Sequence, residues 1–277
     1  MTASDQDARL ELLVLGSGSK GNASVVCDRV SGKGILIDAG ICKRDVFAFS
    51  EQGGFDLEGL RAIIITHSHS DHVKNLGVIT RGLKACGIEV PIYAHRSTLA
   101  TSKELQKVEG ANEIVHFAVD EQIEAGPLRI RVLEASHDTE VSFGFRIECG
   151  GDALGFLTDT GMVPQATLEG LRGVRVLALE SNHDEKMLRN GPYPRILKER
   201  VGSERGHLSN TQAAEVLAEL LDETLETVVC LHISENNNTY RLPVETLRAV
   251  VEDSGYAAQV VCAYQHRPVF VPPRDGL

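Results

Sequence analysis

Residues 61–72 read RAIIITHSHSDH and join a predicted strand to a cluster of metal-binding side chains. Arg61–Thr66 is β-branched and apolar, which predicts a buried strand. The four side chains that follow are His67, His69, Asp71 and His72. Because strand ends are rigid, ligands placed there are already positioned for binding. Imidazole and carboxylate together suit zinc, manganese or iron. The alternative is a polar surface loop rich in histidine by chance, which the preceding strand disfavours.

The spacing within this cluster suits two ions. His67 and His69 are two residues apart in an extended segment, so their side chains point the same way. Asp71 and His72 fall where the chain turns into the next helix, where they can face a second ion. Two ions about 4 Å apart clamp the attacking and leaving oxygens and generate hydroxide at neutral pH. Four residues cannot fill two coordination spheres, so further ligands must come from elsewhere.

Three later predicted strands also end on a candidate ligand. The strands 128–135, 153–157 and 228–231 are followed by His137, Asp159 and His232, respectively. Each residue alone is more often a helix cap or a packed polar group. Together, in this order after the cluster, they predict a complete two-metal site.

Composition limits the architecture and the partners. The chain has 277 residues, of which 42% are hydrophobic, and no linker or repeat divides it. We therefore predict a flexible segment at residues 1–10 and a single domain at 11–277. A net charge of −11 excludes a wholly basic coat for nucleic acid, although a local basic groove remains compatible with it.

Cysteine usage and the N-terminus predict the compartment. The six cysteines are scattered, without a CxxC pair, which suits reduced thiols in the cytoplasm. The polar, acidic start is not typical of a signal peptide, and no stretch has the apolar length of a membrane span. We expect a cytoplasmic protein with no membrane partner. Oligomeric state stays open, a homodimer being one alternative.

The order of predicted elements favours two sheets covered by helices. The first half is rich in strands, and the second half alternates strands with helices. Single helices are predicted over 73–85 and 97–108, and consecutive strands between 114 and 156.

The ligand pattern resembles that of the metallo-β-lactamase fold superfamily. The matching features are HxHxDH at 67–72, the strand-end His137, TDTG at 158–161 and the late His232. The resemblance implies an α/β fold, a four-layer αββα sandwich of two mixed sheets. Four segments resemble the WalJ/YycJ-type branch: LGSGSKGN at 15–22, ESNHD at 180–184, GHLSN at 206–210 and LHISENN at 231–237. Members of that branch are regarded as 5′-to-3′ DNA exonucleases or, more broadly, phosphodiesterases.

The resemblance also implies a ligand set. Site one would be His67, His69 and His137, and site two Asp71, His72 and His232, with Asp159 bridging two divalent ions. Zinc or manganese is favoured over iron. His183 and His207 compete with His232 for the last position.

Catalytic roles follow from the same resemblance. Asp71 and Asp159 would orient the attacking hydroxide. His207 lies in a Gly-His-Leu-Ser segment similar to one in ribonuclease Z relatives, and it is predicted to donate a proton or bind phosphate. A purely structural role is the alternative.

A basic stretch predicts where nucleic acid, with DNA favoured, would bind. Between residues 186 and 205 there are six basic and two acidic side chains. The candidate substrate-binding residues are Lys20, Asn22, His183, Arg195, Lys198 and His207. The alternatives are a solvated helix face for the basic stretch and a tight turn for residues 16–22.

Two other functions stay open. One keeps the metals and changes the substrate to a cyclic phosphodiester, lactone or thioester. The other is a di-iron redox or binding module, although no flavodoxin-like partner domain is visible in the sequence.

Overall fold

The computed structural model, which describes residues 9–271, contains two seven-stranded sheets. The first sheet contains β1 (Leu10–Gly16), β2 (Ala23–Asp28), β3 (Lys33–Ile37), β4 (Leu60–Ile64), β5 (Ile92–Tyr93), β6 (Ile114–Val115) and β14 (Val269–Val271). The second contains β7 (Gln122–Ala125), β8 (Leu128–Ala135), β9 (Ser142–Cys149), β10 (Asp152–Leu157), β11 (Val176–Glu180), β12 (Thr227–Leu231) and β13 (Gln259–Cys262). Their orders are β14-β1-β2-β3-β4-β5-β6 and β13-β12-β11-β10-β9-β8-β7.

Helices cover the outer face of each sheet. They are α1 (Lys43–Gln52), α2 (Ser70–Val73), α3 (Leu76–Ala85), α4 (Arg96–Thr101), α5 (Lys103–Val108), α6 (Gln165–Leu171), α7 (Glu185–Asn190), α8 (Arg195–Val201), α9 (Asn210–Leu220) and α10 (Leu242–Ser254), with a 3₁₀ turn at Leu57–Gly59. Within residues 9–271, none of these helices is both long and apolar enough to cross a membrane.

Three apolar layers hold the sheets and helices together. Alternate residues of β1 point to opposite faces, so Leu12 and Leu13 enter different layers. Leu12 packs between the sheets, and Leu13 packs under α1 and α3. A third layer joins the outer face of β10–β13 to α6, α9 and α10. These layers confirm the predicted four-layer αββα sandwich.

Strand direction gathers the candidate ligands at one edge. β3 to β6 are mutually parallel, and so are β10 to β13. β8 is antiparallel to β9, which is antiparallel to β10, so β8 and β10 run the same way. The carboxyl ends of β8, β10 and β12 therefore lie at one edge of the second sheet. His67, which follows β4, packs against His137, which follows β8, so the end of β4 lies at the same edge of the sandwich. Each of these strands is followed by a predicted metal ligand.

Two predicted helices are each broken in the structure. The helix predicted over 73–85 is wrong at its start, because α2 begins at Ser70 and the chain leaves helical geometry at Asn75 before α3. The helix predicted over 97–108 is interrupted at Ser102, whose extended backbone and side chain cap α5. The final strand β14 was not predicted.

The predicted flexible segment 1–10 falls mainly on residues 1–8, which lie outside the described residues. Arg9 and Leu10 are anchored. The Arg9 guanidinium donates to both carboxylate oxygens of Asp28, at 2.9 and 2.8 Å, and Leu10 begins β1. The amides of Arg9 and Leu10 both donate to Asp152 Oδ2 at 2.8 Å.

The Asp28 contacts predict a pH-dependent contribution to stability. Burial raises the pKa of Asp28, but hydrogen bonds from Arg9 and the Ser31 amide outweigh it and lower the pKa from 3.8 to about 2. A depressed carboxyl pKa stabilises the fold above the unfolded value, and that stabilisation is lost as the pH falls through the folded value. We expect Asp28→Asn to lower the free energy of unfolding by about 1–3 kcal/mol at neutral pH.

The difference between wild type and Asp28→Asn should shrink as the pH falls from 3.8 towards 2. Urea unfolding across that range measures it. Asp253→Asn, on an exposed residue near the end of α10, is the matched control. A difference that is the same at every pH would contradict the role given to the Asp28 charge.

Candidate metal centre

Three imidazoles form the first part of the cluster. The ligand atoms of His67, His69 and His137 lie within 4.8 Å of one another. The His137 Nδ1–H donates to the Gly206 carbonyl at 2.8 Å, which leaves Nε2 with its lone pair 3.1 Å from His69 Nδ1. His67 Nε2 is buried without a hydrogen-bond partner, whereas buried polar atoms are usually paired. This group has the composition and spacing of a three-histidine metal site.

The second part lies beside it. His72 Nδ1 is 2.7 Å from Asp38 Oδ2, so Nε2 faces inward. That nitrogen lies 3.1 Å from Asp159 Oδ2 and 3.5 Å from Asp71 Oδ2. His232 Nε2 is buried, has no hydrogen-bond partner and lies 3.9 Å from Asp71 Oδ2. Asp71 Oδ2 therefore lies within 4 Å of Nε2 of both His72 and His232. The compact ligand groups among the described residues place His72 with His67 and Asp159, and His232 with Asp159, Glu180 and His207, so the predicted site-two set stays a prediction.

Asp159 contacts both parts of the cluster. Its Oδ1 lies 3.0 Å from His232 Nδ1 and 3.7 Å from His137 Nε2, and its Oδ2 faces His72. One carboxylate is thus within reach of both predicted ion positions, as a bridging ligand requires. The structure brings together all seven predicted ligands: His67, His69, Asp71, His72, His137, Asp159 and His232. Ion binding by each of them stays a prediction.

Strained backbone accompanies this edge. Four described residues other than glycine have positive φ, and three of them follow strands here: Asp38 (62°), Asp159 (48°) and His232 (53°). Asp and His adopt this left-handed conformation more readily than most residues. Such strain costs of order 1–3 kcal/mol per residue and is concentrated at functional sites. The surrounding packing therefore holds these side chains in directions that a relaxed strand end would not give.

The electrostatics fit a divalent cation. Burial lowers the pKa values of His67, His69 and His137, which keeps these imidazoles neutral with lone pairs available. Burial also acts to lower the pKa of His232, but the carboxylates of Asp159 and Glu180 outweigh it and raise the pKa to about 10. The carboxylates thus strongly favour positive charge at a place where unpartnered imidazole nitrogens meet. Metal ions supply that charge and use those lone pairs.

Glu180 is a site residue that the sequence-based predictions did not include. It is fully buried, and its Oε1 lies 2.8 Å from His207 Nδ1 and 2.9 Å from His232 Nδ1. Burial raises its pKa, but the neighbouring His207 and His232 lower it to about 2, so the carboxylate accepts from both rings. Its position at the end of β11 is the strand-end signal that was used for the other ligands and could have identified it.

The three histidines considered for the last ligand position are now distinguishable. The His232 side chain is 4% exposed and its Nε2 faces Asp71, whereas the His207 side chain is 19% exposed and opens to the pocket. His183 belongs to none of the ligand groups found among the described residues. Its carbonyl accepts from the Asn210 amide, and its backbone bridges Ser209. His207 and His232 both belong to the group formed with Asp159 and Glu180, so His232 as the last ligand stays a prediction, and His183 lies outside that group.

Two further aspartates support the cluster. Asp38, at the end of β3, accepts hydrogen bonds from Thr66 and orients His72. Asp138 Oδ1 lies 3.3 Å from both His69 Nε2 and His137 Nε2, and its other oxygen binds Arg200. Asp38 directly follows β3, and Asp138 follows the strand predicted over 128–135, so the same strand-end signal could have found them.

The loop at residues 16–22 contacts the cluster through Asn22. Asn22 is buried, and its amide lies 3.1 Å from Asp71 Oδ2 and 2.9 Å from His72 Nε2. Substrate binding by Asn22 stays a prediction, and the structure adds that this side chain contacts two predicted ligands. Lys20 is exposed and forms an ion pair with Glu235 at 2.7 Å.

The predicted basic stretch contributes one side chain to the metal pocket. That pocket has a volume of about 280 Å³, and Arg200 of α8 lines it beside His207. Arg195 and Lys198 do not line it. Arg195 forms a 2.7 Å ion pair with Glu199, and Lys198 Nζ donates to the Arg189 carbonyl at 2.8 Å. Any contact of these two side chains with substrate must lie farther from the predicted ions.

An αββα sandwich with a histidine and carboxylate cluster at the carboxyl ends of its strands defines a metal-dependent hydrolase of the metallo-β-lactamase fold. The sequence model of the family described as Beta-lactamase superfamily domain matches residues 33–233. The chain belongs to this superfamily, in the branch that contains YycJ and WalJ, which confirms the resemblance seen in the sequence.

Two relatives and one solved structure illustrate this placement. The chain is 30% identical to Exodeoxyribonuclease YycJ of Bacillus anthracis over 247 residues, 89% of this chain and 91% of that protein. It is 31% identical to Exodeoxyribonuclease WalJ of Streptococcus pneumoniae serotype 2, over 84% of this chain and 85% of that protein. The crystal structure of the metallo-β-lactamase fold protein YhfI from Bacillus subtilis superposes with a TM-score of 0.71 at 18% identity, covering 95% and 100% of the two chains. At that identity it shows the fold alone.

Proposed function

We propose that this enzyme is a two-metal phosphodiesterase of nucleic acid, and more narrowly a 5′-to-3′ exonuclease of DNA. The observation that carries the proposal is Asp159, a carboxylate whose oxygens lie 3.7 Å from His137 Nε2 of site one and 3.1 Å from His72 Nε2 of site two. A carboxylate between two ions suits a phosphodiester, which offers several oxygens to bind, better than a single carbonyl. The names of the relatives YycJ and WalJ support DNA as the substrate.

The predicted ligands would hold two divalent ions, one at His67, His69 and His137 and the other at Asp71, His72 and His232. When bound, the ions supply Lewis acidity and an activated water. Zinc or manganese suits this mixture of imidazole and carboxylate ligands. The scattered free cysteines support the cytoplasm as the compartment.

His207 is placed to protonate the leaving oxygen. Glu180 accepts from Nδ1 and thereby orients the ring, which leaves Nε2 for the substrate. The side chain is 19% exposed and lines the metal pocket, so substrate can reach it. Glu180 also holds His232 through Nδ1, so this one carboxylate positions both a proposed proton donor and a proposed ligand.

Metal analysis combined with digestion of end-labelled polynucleotides tests the proposal. We expect a colourless protein with two bound zinc or manganese ions that releases mononucleotides from the 5′ end of DNA. RNA should be cleaved more slowly. A metal-loaded protein that hydrolyses a lactone or thioester but no polynucleotide would overturn the proposal. An iron chromophore would support the di-iron alternative instead.

The basic residues of α8 give a second test. We propose that Arg195 and Lys198 contact the DNA backbone beyond the metal pocket. The double variant Arg195→Glu, Lys198→Glu should raise the KM for DNA by about tenfold or more and reduce the salt dependence of binding by about one unit per lost phosphate contact. Turnover of bis-p-nitrophenyl phosphate should be unchanged, because this small substrate reaches only the metal pocket.

The matched control is Arg129→Glu with Arg131→Glu. These β8 residues also form ion pairs, with Glu148 and Asp120, and they do not line the metal pocket. The control should leave DNA turnover unchanged. Equal loss of both substrates in the α8 variant, or loss of neither, would contradict a DNA contact at α8.

A further inference from the structure

A second cavity adjoins the metal pocket and shares His137 with it. The cavity has a volume of about 490 Å³, within the range of small-molecule sites. Three ligand-bearing segments extend to form it: residues 134–143 around His137, Met162 and Pro164 beyond Asp159, and Arg205 before His207. A molecule in this cavity would therefore lie directly beside a group bound at the metal centre.

The segments that form the cavity are tied together. The Gly161 amide donates to the Ser136 carbonyl at 2.8 Å. Arg205 donates from Nε to the His137 carbonyl at 3.1 Å and from Nη2 to the Thr139 carbonyl at 2.7 Å. These bonds fix the cavity relative to the predicted ligands, so its position is set by the same contacts that build the site.

The lining combines apolar surface with one unsatisfied hydroxyl. Val119 and Met162 line the cavity although they are 46% and 39% exposed. Ser142 also lines it, is 3% exposed, and its Oγ has no hydrogen-bond partner. A buried hydroxyl without a partner is unfavourable, and a ligand that bonds to it would remove that penalty. The cavity thus offers apolar contact, and rotation of the Ser142 side chain about its Cα–Cβ bond would bring the unpaired hydroxyl to the cavity surface.

The charges of the lining exclude a simple anion site. Glu134 and Glu140 contribute two carboxylates, whereas Arg205 is the one Lys or Arg of the lining and already donates to two carbonyls. A neutral, flat group with donors on its edge fits this lining better than phosphate does. A nucleobase has these properties, with apolar faces and polar edges.

We propose that this cavity, formed around Val119, Ser142, Met162 and Arg205, binds the nucleobase of the nucleotide whose phosphate lies at the metal centre. The inference rests on the proposed function and adds a subsite to it. The Ser142 hydroxyl bonds to the edge of the base, and the Met162 and Val119 side chains cover its faces. Recognition of one base beside the cleaved phosphate suits an enzyme that removes single nucleotides.

Calorimetric titration of the metal-loaded protein tests the subsite. The probes are deoxyadenosine 5′-monophosphate, deoxycytidine 5′-monophosphate and 2-deoxyribose 5-phosphate, which lacks the base. We expect the nucleotides to bind at least about tenfold more tightly than the sugar phosphate, since contact with a base contributes about a factor of ten or more. Met162→Asp should abolish this advantage, and Ser142→Ala should reduce it severalfold.

The matched control is Val30→Asp, a similar change on a residue that is 71% exposed at the turn between β2 and β3. It should keep the full advantage of the nucleotides. Equal affinity for nucleotide and sugar phosphate in the wild type, an advantage that survives Met162→Asp, or no binding of any probe would overturn the subsite.

Digestion of end-labelled DNA by the same preparations tests the proposed nuclease function separately from the base subsite. If the wild type degrades DNA but shows no advantage for the base, the subsite is wrong and the proposed function stands. If nucleotides bind with a Met162-dependent advantage but no polynucleotide is cleaved, the proposed function is wrong and the cavity still binds a base.

Discussion

Asp159→Asn is expected to lower kcat for phosphodiester hydrolysis about a thousandfold or more. Metal ions stabilise the charge of the transition state by several kcal/mol, and each 1.36 kcal/mol is about a factor of ten in rate. Asp159 lies 3.7 Å from His137 of site one and 3.1 Å from His72 of site two, so loss of its charge should weaken both predicted ion sites. Asn tolerates the positive φ of 48° at this position, so the backbone should be retained. Metal content should fall below two ions per chain.

Asp120→Asn provides the control for this substitution. Asp120 also has a positive φ, of 61°, and pairs with Arg131 rather than with the cluster. This control should keep full activity and metal content. Steady-state kinetics and mass spectrometry of bound metal measure both quantities. An Asp159→Asn protein that keeps two ions and full activity would contradict a bridging role for Asp159.

His207→Ala should separate substrates by their leaving groups. DNA hydrolysis expels a sugar alkoxide that needs a proton, and loss of a general acid typically costs about 10²–10⁴-fold in rate. Hydrolysis of bis-p-nitrophenyl phosphate expels a stabilised phenolate that needs no proton. We therefore expect kcat to fall by at least about a hundredfold for DNA. It should change little for the small substrate, with metal content retained.

Glu180→Gln tests the positioning part of the same arrangement. Because Glu180 orients both His207 and His232, its loss should lower DNA turnover by about 10–100-fold and also weaken metal binding.

An equal loss for DNA and bis-p-nitrophenyl phosphate in His207→Ala, or loss of bound metal in that variant, would contradict the role of His207 as a proton donor and favour a role as a metal ligand.

The predicted ligands could be read from the sequence because each follows an apolar strand. His67, His137, Asp159 and His232 carry this local signal, and parallel strand direction then brings them to one edge. The same signal is present at Asp38 and Glu180, which the sequence-based ligand set did not include and which orient predicted ligands instead.

Other features depend on contacts between distant segments. Asn22 looked available for substrate in its glycine-rich loop, yet it is buried against Asp71, 49 positions later. The cavity beside His137 combines residues from four separated segments, around positions 119, 134–143, 162–164 and 205, which no local pattern predicts. Packing between sheets, and not local propensity, decides these features.

The most direct test of the central claim is metal titration of chelator-treated protein with DNA hydrolysis measured at each step. A centre bridged by Asp159 predicts that activity is restored only as the second equivalent of zinc or manganese binds. It further predicts that Asp71→Ala, which removes a predicted site-two ligand, binds one equivalent and stays inactive. Full activity at one equivalent per chain, or full activity of Asp71→Ala with metal in site one, would contradict the two-metal account.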